Sequence, residues 1–114
     1  MVLDPAAIDR LVVAFGDDGR QVVAELVATF LVEAPRQLAS LRHGIAVGDE
    51  QAVRRAAHSL KSSAATLGAL DLAELCRVVE ARRGEGYLAA VSDVVDELDA
   101  VFDAARRALE VAVG

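Results

Sequence analysis

The chain has 114 residues, 54% of them hydrophobic but only 4% aromatic, and a formal charge of −6. That length suits one domain with a real core, and a core of Ala, Val and Leu suits packed helices better than a sandwich or barrel. The negative balance argues against a nucleic-acid partner, which needs clustered Lys and Arg, and no apolar run approaches the ~20 residues of a membrane span.

The N-terminus, MVLDPAAIDR, has no apolar signal core; its Asp4 and Pro5 form an N-cap and first-position pair instead. Ile8, Leu11, Val12 and Phe15 share one face of a short first helix, which Gly16 ends. Asp17 or Asp18 starts the second helix, where Val23, Leu26, Phe30, Leu38, Leu41 and Ile45 keep a helical stripe to about Val47. Pro35 lies inside that run and predicts a kink or a split into two abutting helices. Gly48 and Asp49 close it and cap a third helix carrying Val53, Ala57, Leu60, Ala64 and Leu67, which Gly68 breaks. Asp71 then opens DLAELC, whose Asp-x-x-Glu pattern resembles a capping box, with Leu72, Leu75, Cys76 and Val79 on the buried side. RGEGY is the clearest loop. A last helix is predicted from about Tyr87 to near the C-terminus, on Leu88, Val91, Val95, Leu98, Phe102, Ala105, Leu109 and Ala112. No segment shows sustained period-two alternation. The expected fold is all-α: one domain over residues 1–114, an up-and-down antiparallel four-helix bundle with a short additional N-terminal helix.

One stretch stands apart from this apolar pattern: AAHSLKSSAATLGAL, Ala56 to Leu70, which gathers His58, four hydroxyl residues and the only Lys, Lys61. At about 100° per residue, with His58 as zero, the core stripe of the third helix centres near 220°, while Arg54, Lys61, Ser62 and Ala65 fall within about 60° of His58. The imidazole should therefore face solvent, with a cation one turn on and small side chains beside it that let another surface approach. A neutral imidazole is a nucleophile able to form a covalent intermediate, and an ammonium beside it offsets the charge of an arriving phosphoryl group. Eleven of the twelve basic residues are Arg, so the lone Lys at this place is itself a signal.

At these residues the sequence resembles the histidine-containing phosphotransfer domains of two-component phosphorelay signalling. The family pattern is His-x-x-Lys-Gly/Ser with a Gly ten residues after the His, matched here by His58, Lys61, Ser62 and Gly68. The order and lengths of the helices agree over nearly the whole chain. The resemblance implies that His58 is the phospho-acceptor, that Lys61 holds the phosphoryl group electrostatically, and that Gly68 has a structural part at the helix end. Ser62 takes the small-residue place where the family more often has Gly. Glu80 aligns with a Gln/Glu position, and in the similar domains of chemotaxis kinases a Glu there hydrogen-bonds the His ring. The implied reaction is reversible transfer between His58 and an aspartyl phosphate on a response-regulator receiver domain, within a relay that includes a sensor (hybrid) histidine kinase.

No cofactor is expected on this chain, Mg²⁺ being supplied by the partner receiver, and no metal site: neither His follows a Glu by three residues, as a di-iron bundle would need. No P-loop or Gly-rich nucleotide motif is present, so the chain is expected to be a phosphocarrier and not an enzyme or kinase. Docking is expected on Ile8, Leu11 and Val12 of the first helix, on Ser62 and Ala65, and on the cations Arg54 and Arg55, which could equally be plain solvated surface. His43, near a helix end, is expected only to favour the helix dipole. Cys76 reads as a small buried hydrophobe, and the acidic run Asp93, Asp96, Glu97, Asp99 and Asp103 as solvated surface. A lone Cys forbids an internal disulfide and fits a reducing compartment, so the protein is expected to be cytoplasmic, monomeric and, from its starting Met and completed terminal helices, free-standing. The competing reading is a helical interaction module that binds a regulator or kinase without being phosphorylated.

Overall fold

The computed structural model describes residues 1–114. Its elements are α1 (Pro5–Ala14), a 3₁₀ turn (Gly16–Asp18), α2 (Gly19–Val47), α3 (Glu50–Thr66), α4 (Leu70–Ala81), α5 (Tyr87–Ser92) and α6 (Val95–Val113), with no strands. At 1.5 Å per residue the 29 residues of α2 span about 43 Å, which accounts for most of the 50 Å long axis of a body only 22 by 20 Å across. The other helices pack along this spine: α3 lies against α2 and α4, α6 against α2 and α4, and α1 against α2. The result is the all-α bundle with an added N-terminal helix that the punctuation predicts.

The core is the set of apolar stripes turned inward. Leu41 of α2, Leu60 of α3, Leu72 of α4 and Leu98 and Leu109 of α6 are essentially inaccessible to water, with Val23, Val27, Val53, Val79 and Val91 around them. Each such Leu contributes about 1.5–3 kcal/mol by leaving water. Phe30 and Phe102 meet across α2 and α6 with ring centroids 6.0 Å apart, a tilted packing that aromatic quadrupoles favour.

Helix ends follow the expected chemistry at α1 and α3, where the Asp4 and Asp49 carboxylates each accept a backbone N–H at 3.0 Å, from Ala6 and Ala52. Gly68 stops α3 in the left-handed region at φ +78, and a Cβ there would stand 2.5 Å from that of Ala7. Its carbonyl also accepts the Asp4 N–H at 2.8 Å. The end of α3 is thereby fastened to the start of α1, at a spot only glycine fits.

Several expectations need correction. Pro35 does not split α2, which runs unbroken through it. Pro35 stands on the solvent side, where one lost intrahelical bond is least costly, and Ala34 and Leu38 keep both halves packed on the core. Asp71 is not a cap: α4 begins at Leu70 with Ala69 before it, and the Asp71 carboxylate instead binds the N-terminal ammonium. The predicted last helix is two, α5 and α6, parted at Asp93 and Val94. Asp93 keeps helical angles, Val94 departs only to φ −107, ψ 0, and a tightened bond from Val94 N–H to Val91 at 3.0 Å bridges the gap. The apolar spacing carries straight across such a turn, which is why the pattern does not register it. Phe15 (48% exposed), Leu26 and Ala112 lie outside the core their stripes assigned them to, and Tyr87 lies inside it. No helix is long and apolar enough to cross a membrane.

Candidate functional site

His58 stands at the middle of α3 with its side chain 60% exposed. The α3 stripe explains this placement, because Val53, Ala57, Leu60 and Ala64 are all buried on the opposite side. Lys61, one turn further along α3, and Glu80, near the end of α4, complete the group. The structure brings these three side chains together: the Glu80 carboxylate takes His58 Nδ1 at 2.7 Å on Oε1 and Lys61 Nζ at 2.5 Å on Oε2.

The electrostatics follow from that geometry. The hydrogen bond from Lys61 holds the Glu80 carboxyl below its ordinary range; partial burial pushes the other way, and the His58 ring adds to the lowering. Glu80 is therefore ionised at neutral pH and can only accept, so in the neutral imidazole the hydrogen sits on Nδ1. The lone pair is left on Nε2, the nitrogen that Glu80 does not hold. Lys61 is not free in this state but paired with Glu80, within one side-chain swing of the ring. The site can thus present a neutral, oriented nucleophile, with a cation beside it and a carboxylate behind it to balance charge arising on the ring.

Around His58, Arg55, Ser62 and Ala65 are exposed, as the helical wheel requires. Arg55 also lines an open groove of about 530 Å³ between α2 and α3, with Ser40, His43 and Ser59. The docking expectation fails at Ile8, which is only 7% exposed and belongs to the core; Leu11 and Val12 are half-buried against it. On α1 and its C-cap the open apolar residues are Val13 and Phe15 instead. It fails at Arg54 too. That guanidinium donates to the Glu80 carbonyl at 2.5 Å and to the Glu50 carboxylate at 2.9 Å, and lies 4.0 Å over the Tyr87 ring. Sequence reasoning missed both this arrangement and the Lys61–Glu80 pair. The available signal was positional: Arg54 lies one turn before His58 on the same face, so whatever reaches His58 from α4 also lies within reach of Arg54.

Cys76 is buried beneath the site, and burial pushes its thiol up to about 12, which leaves it inert at neutral pH. The acidic run on α6 is only partly free solvated surface, since Arg42 of α2 pairs with Asp99 and, at 3.8 Å, with Asp96. Nowhere do three or more His, Cys, Asp or Glu side chains converge as a metal would require.

Comparison with known proteins adds to this geometry. Residues 25–108 match the Hpt domain family. Among solved structures, the chain is similar to the histidine-containing phosphotransfer protein B (HptB) of Pseudomonas aeruginosa PAO1, at a TM-score of 0.82 and 25% identity, over 98% of this chain and 94% of that one. No curated protein matches. The match spans most of the chain and takes in both the α3 helix bearing the exposed imidazole and the α4 helix bearing its carboxylate partner: the chain belongs to the Hpt domain family, the phosphotransfer modules of two-component signalling.

Proposed function

We propose that Nε2 of His58 receives a phosphoryl group from the aspartyl phosphate of a response-regulator receiver domain and passes it to another receiver, in a relay fed by a sensor (hybrid) histidine kinase. The observation that carries this reading is the orientation of one exposed ring: 60% exposed, with Nδ1 held at 2.7 Å by an ionised Glu80. In the forward step the Nε2 lone pair attacks phosphorus in line, and the P–O bond to the aspartyl carboxyl breaks, its electrons leaving with that carboxylate. No proton needs to move. The ring becomes an N-phosphoryl imidazolium whose positive charge faces Glu80, and Lys61 swings from Glu80 toward the phosphoryl oxygens. Return transfer retraces the same steps.

Mg²⁺ belongs to the partner in this reading, because the carboxylate next to His58 has both oxygens engaged. The chain itself acts as a phosphocarrier in the cytoplasm, without kinase chemistry. The docking surface is the exposed ground around the ring: Arg55, Ser62 and Ala65 on α3, with Leu11 and Val12 at its margin. Arg55 offers a local positive charge to a receiver's acidic pocket despite the negative net charge.

The test is to incubate the protein with phosphorylated receiver domains and Mg²⁺ beside a His58→Gln variant. Acid-labile, alkali-stable label on the wild type and none on the variant is the expected result. No label from any receiver, with the helical fold verified, overturns the reading and leaves a bundle that binds a regulator without phosphotransfer.

A further inference from the structure

Glu80 is the penultimate residue of α4, in a turn whose carbonyls have no partner further along the helix. The local sequence gives this turn no glycine cap, and Arg82 follows in an extended conformation at ψ 145. Side chains from outside α4 take its open carbonyls instead. The Glu80 carbonyl accepts from Arg54 at 2.5 Å and from Arg83 at 2.9 Å. The Val79 carbonyl accepts the hydroxyl of Tyr87 at 2.9 Å. Arg54 and Tyr87 are themselves stacked, the guanidinium carbon 4.0 Å above the ring centroid, and Glu50 holds the other arm of the guanidinium at 2.9 Å. Arg54 and Tyr87 thus close the last turn of α4 from α3 and α5, Arg54 at the residue whose carboxylate holds His58 and Tyr87 at the residue before it.

We infer that Arg54, backed by Tyr87, is the positioning residue for Glu80: it fixes the last turn of α4 so that the carboxylate stays on Nδ1 of His58. Its part in transfer rests on the phosphotransfer reading above; its effect on the ring does not. A planar fork suits the task, since it binds a carbonyl and a carboxylate while lying flat on an aromatic face, and a Lys ammonium cannot do all three. A cation at a helix C-terminus is also favoured by the helix dipole. Without this clip the last turn of α4 frays as helix ends do, Glu80 leaves the ring for part of the time, and the imidazole divides between its two neutral tautomers. Arg54 therefore acts from behind the site and not as a docking cation.

The experiment reads the ring directly. Wild type, Arg54→Met and Glu80→Gln, with the double variant, are compared by ¹⁵N NMR of the His58 imidazole near pH 8.5, where a free imidazole is neutral. Arg54→Met keeps an apolar stem over Tyr87, which retains the packing that Arg54→Ala would remove; circular dichroism checks the fold. Labelling by phosphoramidate is followed in parallel, because this small donor, whose P–N bond breaks as the Nε2–P bond forms, needs no docking surface. Wild type should show hydrogen on Nδ1, and Arg54→Met should at least double the share of the other tautomer. Labelling should slow roughly fivefold in Arg54→Met and no further when that change is added to Glu80→Gln, since two residues acting through one contact are not additive. An unchanged tautomer in Arg54→Met, or the same slowing in the Glu80→Gln background, overturns the inference. A ring that responds as expected in a wild type that accepts no label from phosphoramidate or any receiver supports the positioning role and overturns the phosphotransfer reading instead.

Discussion

On α6, Arg106 pairs with Asp103 at 2.5 Å and Glu110 at 3.0 Å, and Arg107 with Asp103 at 2.5 Å, all three and four residues apart along the outer side of one helix. On the α3–α4 face the distances are much the same, yet Lys61, His58 and Arg54 reach Glu80 from 19, 22 and 26 residues away. The first set orders side chains that water would otherwise solvate, and exposed pairs of this kind contribute little. The second set fixes one helix end relative to another and determines which nitrogen of an imidazole is free. Similar ion pairs therefore do different work, and what separates them is whether the partners belong to one helix or two.

The sharpest way to break this contrast is at the ring. His58→Gln should abolish label transfer from a phosphorylated receiver, whereas Arg106→Ala on α6 should leave its rate unchanged, as read by acid-labile label over time. Next comes the carboxylate. Glu80→Gln keeps the shape but removes the ionised acceptor, and should slow phosphoryl acceptance on the order of tenfold in single-turnover kinetics.

Structural support comes third. Gly68→Ala, at φ +78 and against Ala7, should cost about 2 kcal/mol of stability, measured by denaturant unfolding, because it combines backbone strain with a clash. The pH dependence is smaller and has a defined sign. Glu80 is held below its ordinary 4.5 by Lys61 and then His58, so the stability it contributes is present above that value and lost as pH falls through the folded-state value. Wild type should accordingly lose more stability than Glu80→Gln when acidified below about pH 4.5, in thermal melts across that range. The smallest effect belongs to α6, where Arg107→Ala should move the melting temperature by no more than about 2 °C.

Much of the site's placement is legible in the sequence and its internal wiring is not. The period of Val53, Ala57, Leu60 and Ala64 alone puts His58 and Lys61 on the far side of α3, and the structure agrees. That Lys61 is paired with Glu80, and that Arg54 holds the Glu80 carbonyl, depends on the register between α3 and α4, which no pattern within either helix encodes. Glu80 entered through family resemblance and not through spacing. The first helix poses another problem: Ile8, Leu11, Val12 and Phe15 fall within about 100° of one another and only Val13 departs from that face, and such a stripe does not say whether its face meets the core or a partner. Packing selects Ile8 and leaves Val13 and Phe15 in solvent. At Asp93 and Val94 the chain breaks its helix while keeping near-helical angles, and a periodicity argument has nothing there to detect.

The measurement that tests the central claim most directly is ³¹P–¹⁵N NMR of the chain labelled by a phosphorylated receiver, with the histidine rings enriched in ¹⁵N. Phosphorus bonded to Nε2 of His58, with hydrogen retained on Nδ1, is the predicted result. Phosphorus on Nδ1, on His43, or on no histidine at all would contradict the account, because it would mean that the Glu80 contact does not select the nitrogen that reacts.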